Sequence, residues 1–291
     1  MQAQFQNHTA GFLSVKKLLT TAGVSNRLYQ EVKRQPESLL VNGTLVTPTR
    51  LIAPAETLTV TFPPELSDPN VPASQGPLAI VFEDDHWLVL NKPAGLTSVP
   101  GPTNRTDTLV NRVKGHLIAA GATDLRPHVI TRLDRFTSGL VLVAKDRLAN
   151  SYANQALAQH ALHKEYQAVV TGQLDQPHGV LDFPIGRVGT EIARQVTANG
   201  QAARTEYWVE KAGATCTRVR VQLHTGRTHQ IRVHFAFVGH PLLGDQLYGG
   251  PVYQGMTRQA LHAAQLRFDD PFVGQERNFT APLPADMLKY E

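Results

Sequence analysis

The stretch "HVITRLDRFTSGLVLVAKD", residues 128–146, decides how the rest of the chain is read. Leu140 to Ala144 is an unbroken apolar run and reads as a buried strand. The small polar turn Thr137-Ser138-Gly139 leads into it, and Asp146 is placed to cap a helix over "DRLANSYANQALAQH". Before the turn, one carboxylate, Asp134, lies between Arg132 and Arg135. Neighbouring cations favour the ionised form of a carboxylate. That state suits a nucleophile or a base and does not suit a general acid. Taken alone, the triplet reads as a surface ion pair at a loop end.

Outward from this stretch, strands and helices alternate without a simple repeat. "LAIVFEDDHWLVLNKPAG" holds two apolar runs about Asp84-Asp85-His86 and predicts a hairpin. "TDTLVNRVKGHLIAAG" predicts a helix capped near Thr106 or Asp107 and closed by Gly121, with Leu109, Val113 and Leu117 on one face. "KEYQAVVTG" predicts a strand with Tyr166, Ala168 and Val170 on one face. "TRVRVQLHTG" alternates, Val219, Val221 and Leu223 against Arg218, Arg220 and Gln222. In "THQIRVHFAFVG", Ile231, Val233, Phe235 and Phe237 alternate as in a strand. Thr228 as N-cap and Gly239 as closing glycine argue for a helix, and a helix is the expectation. Hairpins mixed with helices predict an α+β fold around a mainly antiparallel sheet.

The segment 62–77, "FPPELSDPNVPASQGP", lacks apolar periodicity and reads as a linker. It separates a small module, 1–61, from a large domain, 78–291. In the module, "SVKKLLTTAGVSNRLYQEVKRQ" predicts two short helices broken at Gly23, the second capped by Ser25. "LLVNGTLVTPTRLIAPAETLTVTFPP" predicts short strands with a turn at Asn42-Gly43.

Composition narrows the function classes. Cys216 is the sole cysteine, which excludes an internal disulfide and a four-cysteine zinc site and fits a reducing cytosol. On its alternating strand it reads as packing or inert surface. No apolar run approaches a membrane span, and "MQAQFQNHTAGFLSVKK" does not have the pattern of a secretory signal. A formal net charge of +4 permits a polyanionic partner without demanding one. There is no GxGxxG after a strand, no GxxxxGK[ST], no HExxH and no GxSxG. His224, His229 and His234 are five residues apart, a spacing that puts three imidazoles on one face of neither a helix nor a strand, so no metal is expected. Asp134 as a phosphoryl acceptor would want a second carboxylate nearby, and none follows it in the turn.

What remains is a polar set on three segments. Asp134 precedes a strand, Tyr166 lies on another, and "TGRTHQIR" follows a third. These segments carry a resemblance. "TRLDRFTSGLVLVAK" is similar to the H-R-L-D-x-x-T-S-G-L signature of the RluA-type pseudouridine synthases. "VLNKPAGLTSVPG", "HKEYQAVVTG", "NGQAARTEYWV", "LHTGRTHQIRVHFAFVGHPLLGDQLYG" and "RQALHAAQLRF" match further motifs of that family, in order, from about Leu78 to Pro284. The module resembles the small RNA-binding module first described in ribosomal protein S-four, through "LLVNGTLV". One position departs: Thr131 stands where the family usually has histidine. That histidine is not the nucleophile, and local packing or RNA contacts are expected to differ there.

The resemblance implies an isomerase that converts uridine to pseudouridine within RNA, without cofactor or metal. Asp134 takes the place of the family's essential aspartate, acting as nucleophile or as base. Tyr166 is placed beside the uracil, and Arg232 is placed to pair with Asp134. Arg132 is the candidate for holding the target nucleotide out of its stack, and Ile231 for an apolar wall beside the base. Arg227, His229 and Thr137 are further candidate substrate contacts. Lys16, Lys17, Arg27, Lys33 and Arg34 of the module are candidate RNA contacts. The implied partner is RNA, ribosomal RNA of the large subunit before transfer RNA, with no membrane partner, a cytoplasmic location and a monomeric protein. The main alternative is a catalytically silent RNA-binding protein that kept the fold, and the complete Asp134, Tyr166, Arg232 set argues against it.

Overall fold

The computed structural model of the protein describes residues 1–187, 189 and 192–290. Residues 188, 190, 191 and 291, all within the span expected to form the large domain, lie outside the described residues. Two sheets organise the chain, and each has its own core.

The first sheet has four strands in the spatial order Gln2–Gln6, Thr57–Thr61, Leu39–Val41 and Thr44–Leu45. Helices α1 (Val15–Thr21) and α2 (Asn26–Arg34) complete it. Ser14 caps α1 by accepting from the Lys17 N–H, and Ser25 caps α2 by accepting from Leu28. Asn42 and Gly43 both take positive φ, 47° and 82°, the conformation that a tight two-residue hairpin requires. The strand Gln2–Gln6 was not expected. Its sequence, QAQFQ, places just one residue, Phe5, in the core, too few for periodicity to signal a strand.

The second sheet has ten strands. Its main path runs His178–Asp182, Arg204–Ala212, Cys216–Leu223, His163–Thr171, Leu261–Asp270, Ser138–Ala144, Trp87–Lys92 and Ile80–Glu83. Gln275–Thr280 and His128–Val129 add to it from the side. The pairings are antiparallel except one: Ser138–Ala144 meets Leu261–Asp270 in parallel over two residue pairs. At that joint Gly139 has φ +113°, and a Cβ on it would lie 2.2 Å from the Ala263 carbonyl oxygen. A glycine is needed there for the two halves of the sheet to meet.

Helices cover both faces. From α3 (Leu109–Ala119), Leu109, Val113 and Leu117 pack into one core with Val141, Val143, Tyr166, Ala168 and Val221. Ile231 and Phe235 of α5 (Gln230–Phe237) join the same core. On the other face Leu140, Leu142, Ala149 and Ala153 pack with Trp87 and Phe268. The last two alanines belong to α4 (Arg147–Ala158), capped by Asp146. A short α6 (Ala285–Leu288) follows the final strand. Cover on both sides is why all seven residues of Ser138–Ala144 are buried and why the run is not alternating.

Two expected caps lie elsewhere. Thr108, not Thr106 or Asp107, caps α3, because Thr108 and Asn111 form a reciprocal capping box. For α5 the N-cap is His229 in the left-handed region, not Thr228, and no side chain caps it. The Gln230 side chain satisfies that corner instead, accepting from the Arg227 N–H and the Thr225 hydroxyl.

The segment read as a linker has no helix or strand, yet it is not free. It lies along α3, where Asn111 donates to the Pro72 carbonyl and Lys114 donates to the carbonyls of Asp68 and Val71. The helices of the N-terminal module are seated on α4. Ser151 donates to the Gly23 carbonyl at 2.9 Å and accepts from the Ser25 N–H at 2.6 Å. Arg147 pairs with Glu31 of α2 and, at 3.4 Å, with Glu65. Among the described residues no helix is long and apolar enough to cross a membrane.

Candidate active site

Asp134 lies in the loop that enters the buried strand, and four side chains from elsewhere in the chain hold that loop in place. Ser98 donates to the Leu133 carbonyl at 2.7 Å. Lys92 donates to the Arg135 carbonyl at 3.1 Å, and Arg258 to that of Phe136 at 3.1 Å. Gln259 donates to the Thr137 hydroxyl, and the Thr137 N–H closes the turn onto the Asp134 carbonyl. With successive carbonyls occupied, the loop has little freedom, and the Asp134 carboxylate is aimed before any ligand arrives.

It is aimed at α5. Arg232 Nη1 lies 2.8 Å from Asp134 Oδ2. The rest of the Arg232 guanidinium grips Asp245 bidentately, Nε to Oδ2 at 2.7 Å and Nη2 to Oδ1 at 2.8 Å. The Arg232 side chain is 7% exposed and that of Asp245 1%, whereas Asp134 is 27% exposed. The inner pair is therefore shut away from water, and the outer carboxylate faces a cleft. Burial works against the Arg232 charge, but Asp245 and then Asp134 outweigh it and push its pKa up. Because Asp245 neutralises the guanidinium from behind, Asp134 gains an oriented donor and keeps a net negative site. The Tyr248 ring lies beneath Arg232, 4.9 Å from the guanidinium carbon to the ring centre.

His229 and Tyr166 complete the surroundings. His229 Nε2 is 3.8 Å from Asp134, and its Nδ1 shares a 2.8 Å hydrogen bond with the Tyr248 hydroxyl. Burial lowers the His229 pKa against the pull of Asp134, which keeps the imidazole neutral near pH 7. Burial and then the Asp134 charge push the Tyr166 phenol well up, so it stays protonated. It is 5% exposed.

All eight cleft residues singled out from sequence line one cavity of about 530 Å³: Asp134, Tyr166, Arg232, Arg132, Ile231, Arg227, His229 and Thr137. That volume lies in the range of ligand pockets. Arg132 and Arg227 are exposed at its edge, while Ile231 and Thr137 are buried in its wall. The five module cations Lys16, Lys17, Arg27, Lys33 and Arg34 are exposed on α1 and α2, and none lines the cleft. Thr131 is buried, and its hydroxyl accepts from the Leu142 N–H at 2.8 Å. A short β-branched side chain here ties the Asp134 loop directly to the buried strand.

Sequence reasoning missed Asp245, Tyr248 and Lys92. Lys92 is fully buried and donates to three carbonyls, those of Pro93, Leu96 and Arg135, at 2.8–3.1 Å. Burial pushes its pKa down to about 7, with Asp134 pulling it back up. Asp245 and Tyr248 stand in "GDQLYG", whose fold partner, α5, is not legible from that stretch alone. Among the described residues no group of three or more His, Cys, Asp or Glu is arranged to hold a metal.

Residues 86–237 match the RNA pseudouridylate synthase family. A Bacillus subtilis protein named uncharacterized RNA pseudouridine synthase YjbO is 41% identical over 278 residues, spanning 95% of this chain and 98% of that protein. The ribosomal large subunit pseudouridine synthase D of Vibrio cholerae is 38% identical over 267 residues, 86% of this chain and 81% of that protein. The solved structure of human RNA pseudouridylate synthase domain containing 4 has a TM-score of 0.59 at 26% identity, covering 72% of this chain and 90% of its own.

Proposed function

The chain belongs to the RluA-type RNA pseudouridine synthases, and from that premise we propose that Asp134 carries the isomerisation and that the target uridine lies in large-subunit ribosomal RNA. The observation that carries the site assignment is the 2.8 Å contact between Asp134 and an Arg232 already anchored on Asp245. The name of the Vibrio cholerae relative supports the choice of RNA.

Uridine and pseudouridine contain the same atoms. The bond from N1 to C1′ breaks, the freed uracil turns, and C5 bonds to C1′. The hydrogen on C5 leaves and N1 gains one. Asp134 starts this either by attacking C1′ or by taking the hydrogen from C2′, and both routes need it ionised and fixed. Arg232 fixes it. The uridine must first leave its stack, at a cost of a few kcal/mol. Arg132, exposed at the edge, is placed to fill the gap, and Ile231 and Tyr166 form the wall that receives the base. Tyr166, held protonated, is a hydrogen-bond donor to the uracil or a proton carrier. Arg227, His229 and Thr137 line the remaining wall against the nucleotide.

The fold supports reading residues 1–61 as an RNA-docking module like that of ribosomal protein S-four, with 62–77 joining it to a catalytic domain over 78–291. Lys16, Lys17, Arg27, Lys33 and Arg34 then meet phosphates, contacts that depend on salt and not on base sequence.

The test uses unmodified large-subunit ribosomal RNA. The wild-type protein forms pseudouridine in it, and Asp134→Asn lowers the rate by about 10³-fold or more while binding the RNA within about threefold of wild type. Conversion that survives Asp134→Asn refutes the site assignment. Conversion confined to transfer RNA refutes the target.

A further inference from the structure

We propose that Lys164 holds a phosphate next to the target uridine, a contact that rests on the reading of the cleft as the seat of that nucleotide. Among the described residues five cations line the cleft and a sixth, Lys92, bonds to the Arg135 carbonyl in its wall; four of the six are already engaged. Arg232 has its two carboxylates. Arg227 donates to the Ala202 carbonyl, Arg135 to that of Gly95, and Lys92 to three carbonyls. Arg132 stands in solvent and needs no partner. Lys164 is different: it is half-buried in the cleft wall and makes no hydrogen bond or ion pair among the described residues. A cation drawn out of water without a counter-charge costs free energy unless a ligand supplies the charge.

Its position selects the group. Lys164 lies two residues before Tyr166 on the strand His163–Thr171, so it is one step outward along the cleft wall. Its ammonium sits beside the loop after Cys216–Leu223: a Cβ built on Gly226 would be 3.9 Å from Lys164 Nζ. Lys164 and Asp134 line the same cleft from different segments, one on the strand His163–Thr171 and the other in the loop that enters Ser138–Ala144. The ammonium therefore faces the cleft from a segment other than the one carrying the carboxylate that must work at C1′ or C2′. Of the groups a uridine presents away from those carbons, the uracil carbonyls are neutral and the phosphate is a full anion. A point charge on a flexible stem suits a phosphate.

The experiment measures RNA binding as a function of salt in the Asp134→Asn background, where turnover does not intervene, with unmodified large-subunit ribosomal RNA as the probe. Adding Lys164→Met weakens binding about tenfold and lowers the slope of log K against log salt by about 0.7–0.9, the loss of one phosphate contact. Lys164→Arg restores most of both. In the active protein Lys164→Met raises KM about tenfold and leaves kcat within about threefold. A short RNA carrying the mapped uridine with a neutral methylphosphonate on its 5′ or 3′ side adds the decisive arm. At one of the two positions wild type weakens to the level of Lys164→Met, and the variant weakens no further. An unchanged salt slope, a fall in kcat with binding intact, or equal losses in wild type and variant at both positions overturns the proposal. Should Lys164→Met not fold, as judged by its melting curve, Lys164→Gln and the methylphosphonate effect on wild type alone still decide it, since no loss at either position overturns it. If Asp134→Asn still converts uridine, the site reading fails while the salt slope continues to report on Lys164.

Discussion

The cations of α1 and α2 and those of the cleft are of the same residue types, and they are held in opposite ways. Lys16, Lys17, Lys33 and Arg34 stand in solvent, and Arg27 shares a loose 3.5 Å pair with Glu31. Arg232 is closed between two carboxylates, and Lys92 is buried under three carbonyls. An exposed cation is screened by water and salt, and its neighbours can replace it. A buried one has a single position, and its removal strands its partners. On the proposed function, affinity for RNA is spread over many weak contacts on one region, while chemistry is concentrated in a few fixed groups on the other.

Removing Arg232 strains this contrast most. Arg232→Met is expected to lower kcat on the order of 10²-fold by releasing Asp134, with RNA affinity nearly unchanged. It also leaves Asp245 buried and unpaired, at a cost of about 3–5 kcal/mol in urea unfolding. Adding Asp245→Asn recovers part of that stability and none of the activity. Recovery of activity would mean that Arg232 is there to neutralise Asp245 and not to aim Asp134.

Gly139→Ala tests whether the cleft depends on the joint in the sheet. The new Cβ would meet the Ala263 carbonyl oxygen at 2.2 Å on a backbone with φ +113°. A loss of about 3 kcal/mol or more is expected in thermal or urea unfolding. A loss below about 1 kcal/mol would show that the two halves of the sheet can separate without cost.

The candidate site was legible where it depends on local pattern and dark where it depends on how segments meet. The Leu140–Ala144 run and the Ser25 and Asp146 caps are local, and the structure has them as expected. The order of motifs brought Asp134, Tyr166 and Arg232 forward as a set. Asp245 was passed over because its reason for being there is a buried arginine thirteen residues earlier, on a helix whose start was itself misplaced. That start is set by His229 in the left-handed region and by the Gln230 side chain, a tertiary arrangement with no cap residue to announce it. Nothing local in "VLNKPAG" marks Lys92 as buried. The fold of the 93–96 loop over it supplies two of the three carbonyls that hold it, and Arg135 in the Asp134 loop supplies the third.

Glu65 tests the join between the two regions. Burial opposes its charge, but the hydrogen bond from His128 at 2.6 Å and the charges of His128, Arg147 and Arg126 outweigh burial and lower its pKa below 4.5. A carboxyl lowered in the folded state contributes stability above its unfolded value, and that contribution is lost as pH falls through the folded value. Wild type is therefore more stable than Glu65→Gln at pH 6, and the gap narrows as pH drops below about 4.5, which urea melts across that range would record. A gap that stays constant with pH would locate the effect in packing instead.

The smallest effect is expected on α2. Lys33→Ala with Arg34→Ala should weaken RNA binding a few-fold, lower the salt slope by about one to two, and leave kcat alone. A change in kcat as large as that of Arg232→Met would erase the contrast.

The most direct measurement sets these two variants side by side on unmodified large-subunit ribosomal RNA, reading single-turnover rate and Kd for each. The account predicts a crossed result. Arg232→Met loses rate and keeps Kd within about threefold, and Lys33→Ala with Arg34→Ala loses affinity and keeps rate. Parallel losses of rate and affinity in both variants would contradict it.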